Sequence, residues 1–279
     1  CENAHIAIDP RNPNITYGGC YTGMLMRHDN RTQQTRDIAV WLNNYDGMPV
    51  SDVPNRFQWT FPVMLSPHDP TILYTASQNV WRSTNEGRSW EKISPDLSYA
   101  DPATMGPTGG PVHKDMTGTE WYATIYALAE SPHSKGLLWA GSDDGRVHVT
   151  RDGGGSWTDV TPKGMVKHTR VTGIEPSPHD PAVAYLAATR YQLDDFRPYF
   201  YKTTDYGATW TRIDDGIAMG AYARSIREDP VRRGLLFAAT ETGVWVSFND
   251  GARWETLQLN LPRASVRDLR VQGNDIVVA

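Results

Sequence analysis

Cysteine is nearly missing from these 279 residues: Cys1 and Cys20 are the only two. That leaves room for one disulfide, for which the two would have to come together on adjacent strands, and no Cys/His spacing suits zinc. Pairing of Cys1 with Cys20 and a lipid-anchored Cys1 are both open. The preferred reading is an internal cysteine of a longer chain, because Cys1 stands only five residues before the first strand. Basic charge is also short, with 27 Lys+Arg against 32 Asp+Glu, a net charge of −5 and a pI of about 5.9. A nucleic-acid backbone is therefore not an expected partner. No apolar run approaches the roughly 20 residues of a membrane span. No signal peptide is visible, as a processed or cut chain would also read. The stretch Asn43-Asn44-Tyr45-Asp46-Gly47 falls short of a calcium loop, so neither a metal nor another cofactor is expected. His68, His133 and His179 recur beside prolines and read as turn residues, and the sequons at Asn14 and Asn30 read as chance matches. What the chain does have is ten Trp and thirteen Tyr, which suit many short strands better than long helices.

One eight-residue stretch organises those strands, Thr150-Arg151-Asp152-Gly153-Gly154-Gly155-Ser156-Trp157. Its grammar returns at residues 83–90, with Asn85, Gly87 and Trp90; at 203–210, with Asp205, Gly207 and Trp210; and at 247–254, with Asn249, Gly251 and Trp254. Each position has a physical task. The Asp or Asn side chain accepts main-chain N–H bonds and closes the turn. The glycine takes the positive φ that such a hairpin demands. The tryptophan opens the next strand and buries a large apolar surface.

A second repeat marks the other end of each unit: an apolar strand, a proline turn, then a second apolar strand. The anchoring prolines are Pro10, Pro67, Pro132, Pro178 and Pro230, at intervals of 57, 65, 46 and 52 residues. Proline there fixes φ and ends the strand. Intervals near 50 with two hairpins apiece describe four-stranded propeller blades. The first unit is degenerate, since His28-Asp29-Asn30-Arg31 lacks the glycine and the tryptophan. Residues 266–271 and 275–278 read as strands one and two of a sixth blade. The expected fold is thus all-β: a β-propeller of four-stranded antiparallel blades, five and a half of them visible. Residues 1–279 form one propeller segment, completed by further blades of a longer chain or by a partner subunit.

The box pattern resembles the Asp-box (BNR-repeat) β-propellers, which include sialidases, two-propeller xyloglucanases, sortilin-type receptors and photosystem assembly factors. Within that group the chain looks most like large bacterial, sortilin-like repeat proteins described as glycosyl hydrolases. The Thr150 copy matches fully; Asn85, Asn249 and Arg253 are departures. The resemblance implies an extracellular or periplasmic protein that binds a glycan or a peptide. It leaves glycoside hydrolysis as the alternative, because such boxes recur in enzymes and non-enzymes alike.

Propeller sites lie where the outer strand of one blade crosses to the inner strand of the next. Those crossings collect Arg56, Trp59, Glu120, Trp121, Arg170, Tyr222 and Arg224, which form the candidate ligand-binding set. Aromatic faces suit sugar rings, and three guanidinium groups in one funnel favour an anionic ligand. The competing reading packs Trp59 and Trp121 between blades and pairs each Arg with a neighbouring carboxylate. Sialidase chemistry is disfavoured. The family's Arg-Ile-Pro motif is absent, and Arg56, Arg170 and Arg224 sit 11, 8 and 6 residues before their prolines, which are not equivalent positions. A xyloglucanase-like hydrolase needs two spaced carboxylates, for which Glu120 and Asp115 are weak candidates.

Overall fold

The structure, a computed structural model, describes residues 4–41, 48–106 and 121–279. Its strands follow the proline and box repeats. The first sheet holds β1 (Ile6–Ile8), β2 (Ile15–Gly19), β3 (Leu25–Asp29) and β4 (Gln34–Asp37). The second holds β5 (Val63–Leu65), β6 (Leu73–Ala76), β7 (Val80–Ser83) and β8 (Glu91–Lys92). The third holds β9 (Ile125–Glu130), β10 (Leu138–Ser142), β11 (Val147–Thr150) and β12 (Thr158–Asp159). In the fourth are β13 (Arg170–Pro176), β14 (Ala184–Arg190), β15 (Asp195–Thr203) and β16 (Thr211–Arg212). The fifth has β17 (Ala223–Glu228), β18 (Leu236–Thr240), β19 (Gly243–Ser247) and β20 (Glu255–Thr256). A last pair, β21 (Leu269–Gln272) and β22 (Asp275–Val278), stands alone. Within every sheet the strands lie in chain order and pair antiparallel.

In the four-stranded sheets burial is greatest at the second strand and least at the fourth. The second strands β6, β10 and β18 are buried along their whole length, whereas β8, β12, β16 and β20 are exposed. A strand packed on both faces must be apolar throughout, which is why Leu138 to Ser142 and Leu236 to Thr240 do not alternate. The inner strands β5, β9, β13, β17 and β21, together with His5 just before β1, border one central channel of about 420 Å³.

The boxes close as their grammar requires. Asp152 Oδ1 accepts the Ser156 N–H at 2.9 Å, and its carboxylate also takes the Thr150 and Ser156 hydroxyls. Those hydrogen bonds, the Ser156 hydroxyl first, hold its pKa down to about 2. Asp205 makes the same set with Thr203 and Thr209, and Asn85 and Asn249 reproduce the main-chain bond. Of the four tryptophans only Trp254 is buried; Trp90, Trp157 and Trp210 are half-buried, and each fourth strand starts one residue later than expected. The degenerate first unit still forms four strands. There Asp29 closes the turn by accepting both the N–H and the guanidinium of Arg31.

The recurrent histidines join neighbouring blades. Nε2 of His68, His133 and His179 meets the carbonyls of Ser131, Pro178 and Asp229 in the following blade's turn, at 2.8, 2.6 and 2.8 Å. Cys20 is buried and disulfide-bonded; Cys1, the other cysteine, lies outside the described residues. Among the described residues no helix is long and apolar enough to cross a membrane.

Candidate binding site on the crossing face

Boxes and proline turns share one face, shown by the Gly153 N–H bonded to Gly136 O and the Asp250 N–H bonded to Gly234 O. The crossings therefore meet the loops between strands two and three on the other face. Direct bonds confirm it: the Arg56 N–H reaches Gln78 Oε1, the Thr124 N–H reaches Asp143 Oδ1, and the Glu241 N–H reaches Tyr222 O. Here the inner strands of blades three, four and five each slip register once against their second strands. The residues left unpaired are Tyr126, Thr172 and Arg224, which makes these three topologically equivalent. A bulge at a strand end re-aims its side chain.

The expected ligand set divides. Arg56 is buried: its guanidinium meets Asp96 at 2.6 Å, Ser98 at 3.2 Å and Ala123 O at 3.0 Å. Trp121 is buried completely, so both residues serve the interior instead of facing a ligand. The polypeptide dips inward at these crossings, which their composition does not reveal. Trp59 is half-buried with its ring against Tyr21 at 5.5 Å. Arg170 is buried with its guanidinium 5.0 Å from the Tyr126 ring. Glu120 and Asp115 lie outside the described residues.

Tyr222 and Arg224 converge with residues that the sequence did not single out. Tyr222 stacks on Tyr191 with centroids 4.8 Å apart and planes 17° apart, and Phe196 lies 6.1 Å away. Phe196 is 48% exposed. The Arg224 guanidinium sits 4.8 and 5.2 Å from the Tyr222 and Tyr191 centroids and pairs with Glu241 at 2.6 Å. Burial opposes ionisation of Glu241, yet hydrogen bonds from Arg224 and Ser265 hold its pKa below the ordinary range. An open hollow of about 440 Å³ adjoins this shelf, lined by Asp194, Asp195, Phe196, Arg197, Met219 and Gly220. With Arg56 and Arg224 both neutralised by carboxylates, the funnel does not present the three-arginine charge expected of it.

Two carboxylates in this region are sealed. Asp143 accepts both the N–H and the hydroxyl of Thr124 at 2.9 Å; Asp144 accepts the Ser142 hydroxyl and the N–H groups of Tyr99 and Ala100. Burial raises both pKa values, and the charge of Asp144 pushes Asp143 further in the same direction. Close by, Tyr122 OH meets His168 Nδ1 at 2.6 Å. The run Ser142-Asp143-Asp144-Gly145 was the available sequence signal for this cluster. Neither aspartate reaches solvent, so neither is placed to meet a substrate.

No protein-family model matches the chain. It is 26% identical over 180 residues to xyloglucanase Xgh74A of Acetivibrio thermocellus, covering 58% of this chain and 20% of that protein. To a probable oligoxyloglucan-reducing end-specific xyloglucanase of Neosartorya fischeri it is 22% identical over 273 residues, 89% of this chain and 31% of that one. The crystal structure of the GH74 xyloglucanase from Xanthomonas campestris superposes with a TM-score of 0.67 at 18% identity, over 98% of this chain and 43% of that one. The fold is a β-propeller. YCF48 bound to D1 peptide shares it, with a TM-score of 0.57 at 13% identity, over 98% of this chain and 74% of that one. The chain thus spans between a fifth and a third of the curated relatives it matches.

Proposed function

We propose that the chain is an Asp-box propeller segment of a secreted protein, extracellular or periplasmic, that binds a glycan on its crossing face. The observation that carries this reading is the shelf of Tyr191 and Phe196, backed by the buried Tyr222: two rings stacked at 4.8 Å and a third half exposed beside an open hollow. Flat aromatic faces take the apolar face of a pyranose, and polar groups at their edge fix its orientation. Arg224 with Glu241, and Asp195 with Arg197, supply that edge as paired, neutral sets, which favours an uncharged ligand over an anionic one. The xyloglucanase names of its relatives and the disulfide at Cys20, typical of oxidising compartments, support the same reading.

A peptide ligand is the nearest variant, supported by the likeness to YCF48 bound to D1 peptide. Glycoside hydrolysis is the second reading, supported by the xyloglucanase relatives, with Glu120 and Asp115 as the carboxylates it would use. A binding screen against neutral and acidic glycans and C-terminal peptides, run beside a reducing-end assay, separates the three. We expect neutral glycans to bind without release of reducing ends. Turnover abolished by Glu120→Gln or Asp115→Asn would establish the enzyme instead.

A further inference from the structure

One residue of the third strand meets the box of the next blade. Arg27, Arg82, Val149 and Lys202 stand opposite Tyr17, Tyr74, Trp139 and Tyr185 of their second strands, so these four positions are equivalent. Three of them hold the fourth residue of the following box. Arg27 pairs with Glu86 at 3.2 Å, Arg82 donates to the Gly153 carbonyl at 3.4 Å, and Lys202 pairs with Asp250. Between blades three and four neither half of this latch is present: Val149 stands in place of the cation and Tyr206 in place of the acid. A cleft of about 450 Å³ opens there at the outer rim, with Val149, Val160, Tyr206 and Trp210 in its lining. Ordinary ligand clefts have that size. Tyr206 holds its ring at a φ of 59°, a left-handed backbone that bulky residues seldom adopt.

Two cations border the cleft. The Arg151 guanidinium lies over the Tyr206 ring, 4.1 Å from its centroid, and Lys163 lines the same space. Both are exposed, and among the described residues neither has a carboxylate within ion-pair distance. Asp159, the one carboxylate in the lining, is taken by Arg146 at 3.0 Å and by the Thr161 hydroxyl at 2.6 Å.

We propose that this cleft is a carbohydrate site apart from the crossing face, and that it takes a uronate-containing oligosaccharide. Tyr206 and Trp210 supply apolar surface for the pyranose ring, and Thr158, exposed on β12, offers a hydroxyl to those of the sugar. Arg151 and Lys163 take the carboxylate. A guanidinium held flat against a ring keeps its fork of N–H donors in one plane, ready for a two-pronged bond. The charge requirement is the reverse of that on the crossing face, where Arg224 and Arg197 are already paired with carboxylates. A peptide added as a strand fits less well. β12 has only two residues, and the Thr161 N–H just beyond it is taken by Asp159 Oδ1 at 3.0 Å.

The probe is trigalacturonate, titrated calorimetrically into the chain at low salt beside its fully methyl-esterified form and a triglutamate peptide. Saturable binding of trigalacturonate is expected, with the ester and the peptide roughly ten-fold weaker or worse. Arg151→Thr places at this box position the residue type already found at Thr84 and Thr204, so the turn accommodates it. It should weaken trigalacturonate roughly ten-fold, and the exposed Lys163→Ala should weaken it too. Tyr206→Glu puts beside Arg151 the acid that Glu86 supplies in its own box, and should abolish binding. Trigalacturonate should still bind the Tyr191→Ala, Phe196→Ala double variant, and Arg151→Thr should leave the titration with a neutral xyloglucan oligosaccharide unchanged. The crossing-face reading can therefore fail while this one stands, and the reverse. No binding by the parent, equal binding of the ester or the peptide, or undiminished binding by Arg151→Thr overturns the proposal.

Discussion

The indole N–H of Trp157 donates to the main-chain carbonyl of Ile93 at 2.8 Å, across the boundary between two blades. Gly154, three residues earlier, lies so close to the same carbonyl that a Cβ placed on it would come within 2.6 Å of the oxygen. One acceptor thus ties the tryptophan and the glycine of the box to a single point on the neighbouring blade. Those two positions recur because both meet the same partner.

Replacing the indole separates its two contributions. Trp157→Phe keeps most of the apolar contact and loses the hydrogen bond, so urea unfolding should show a loss of about 1 kcal/mol. Trp254→Ala, at the one box tryptophan that is buried, should lose about 3–5 kcal/mol; the half-buried Trp157→Ala should lose less. A Trp157→Phe protein as stable as the parent would remove the hydrogen bond from the account.

Gly154→Ala and Gly164→Ala provide a matched pair. Both glycines have positive φ, +100° and +84°, but an added Cβ at Gly164 meets nothing within 4 Å. Gly164→Ala should therefore cost about 1–2 kcal/mol from backbone strain alone. Gly154→Ala should cost clearly more, because the blade boundary must open. Equal midpoints in thermal unfolding would contradict this.

Asp143 gives the chain a pH signature. Its folded pKa is raised, by burial first and by the Asp144 charge second, so the folded state holds a proton that the unfolded chain releases near pH 4. Its contribution is fully present below that pH and is lost as pH rises toward neutrality through the raised value. Asn in its place can accept from the Thr124 N–H and donate to the Thr124 hydroxyl. Asp143→Asn should be more stable than the parent near pH 7, with the difference vanishing near pH 4. A difference independent of pH would overturn the assignment.

The fold was legible because its two repeats are local. Pro10, Pro67, Pro132, Pro178 and Pro230 fix turns through their own φ, and Asp152 or Asp205 closes a hairpin within five residues. The candidate site was legible only in part. Tyr222 and Arg224 were found because they stand at the start of an inner strand. Their partners are Tyr191, in the turn between β14 and β15, and Phe196, at the start of β15, and only the packing of two blades brings them together. Arg56 and Trp121 misled for the opposite reason: an arginine and a tryptophan at a crossing look alike in sequence whether the segment faces the funnel or folds beneath it. The burial of Arg56 depends on Asp96, Ser98 and the Ala123 carbonyl, up to 67 residues away.

The most direct test of the crossing-face site is calorimetric titration of the chain with a neutral xyloglucan oligosaccharide, repeated on a Tyr191→Ala, Phe196→Ala double variant. The account predicts saturable binding by the parent and at least ten-fold weaker binding by the variant, about the loss of 1.4 kcal/mol, with the unfolding temperature of the fold preserved. Undiminished binding by the double variant would contradict it.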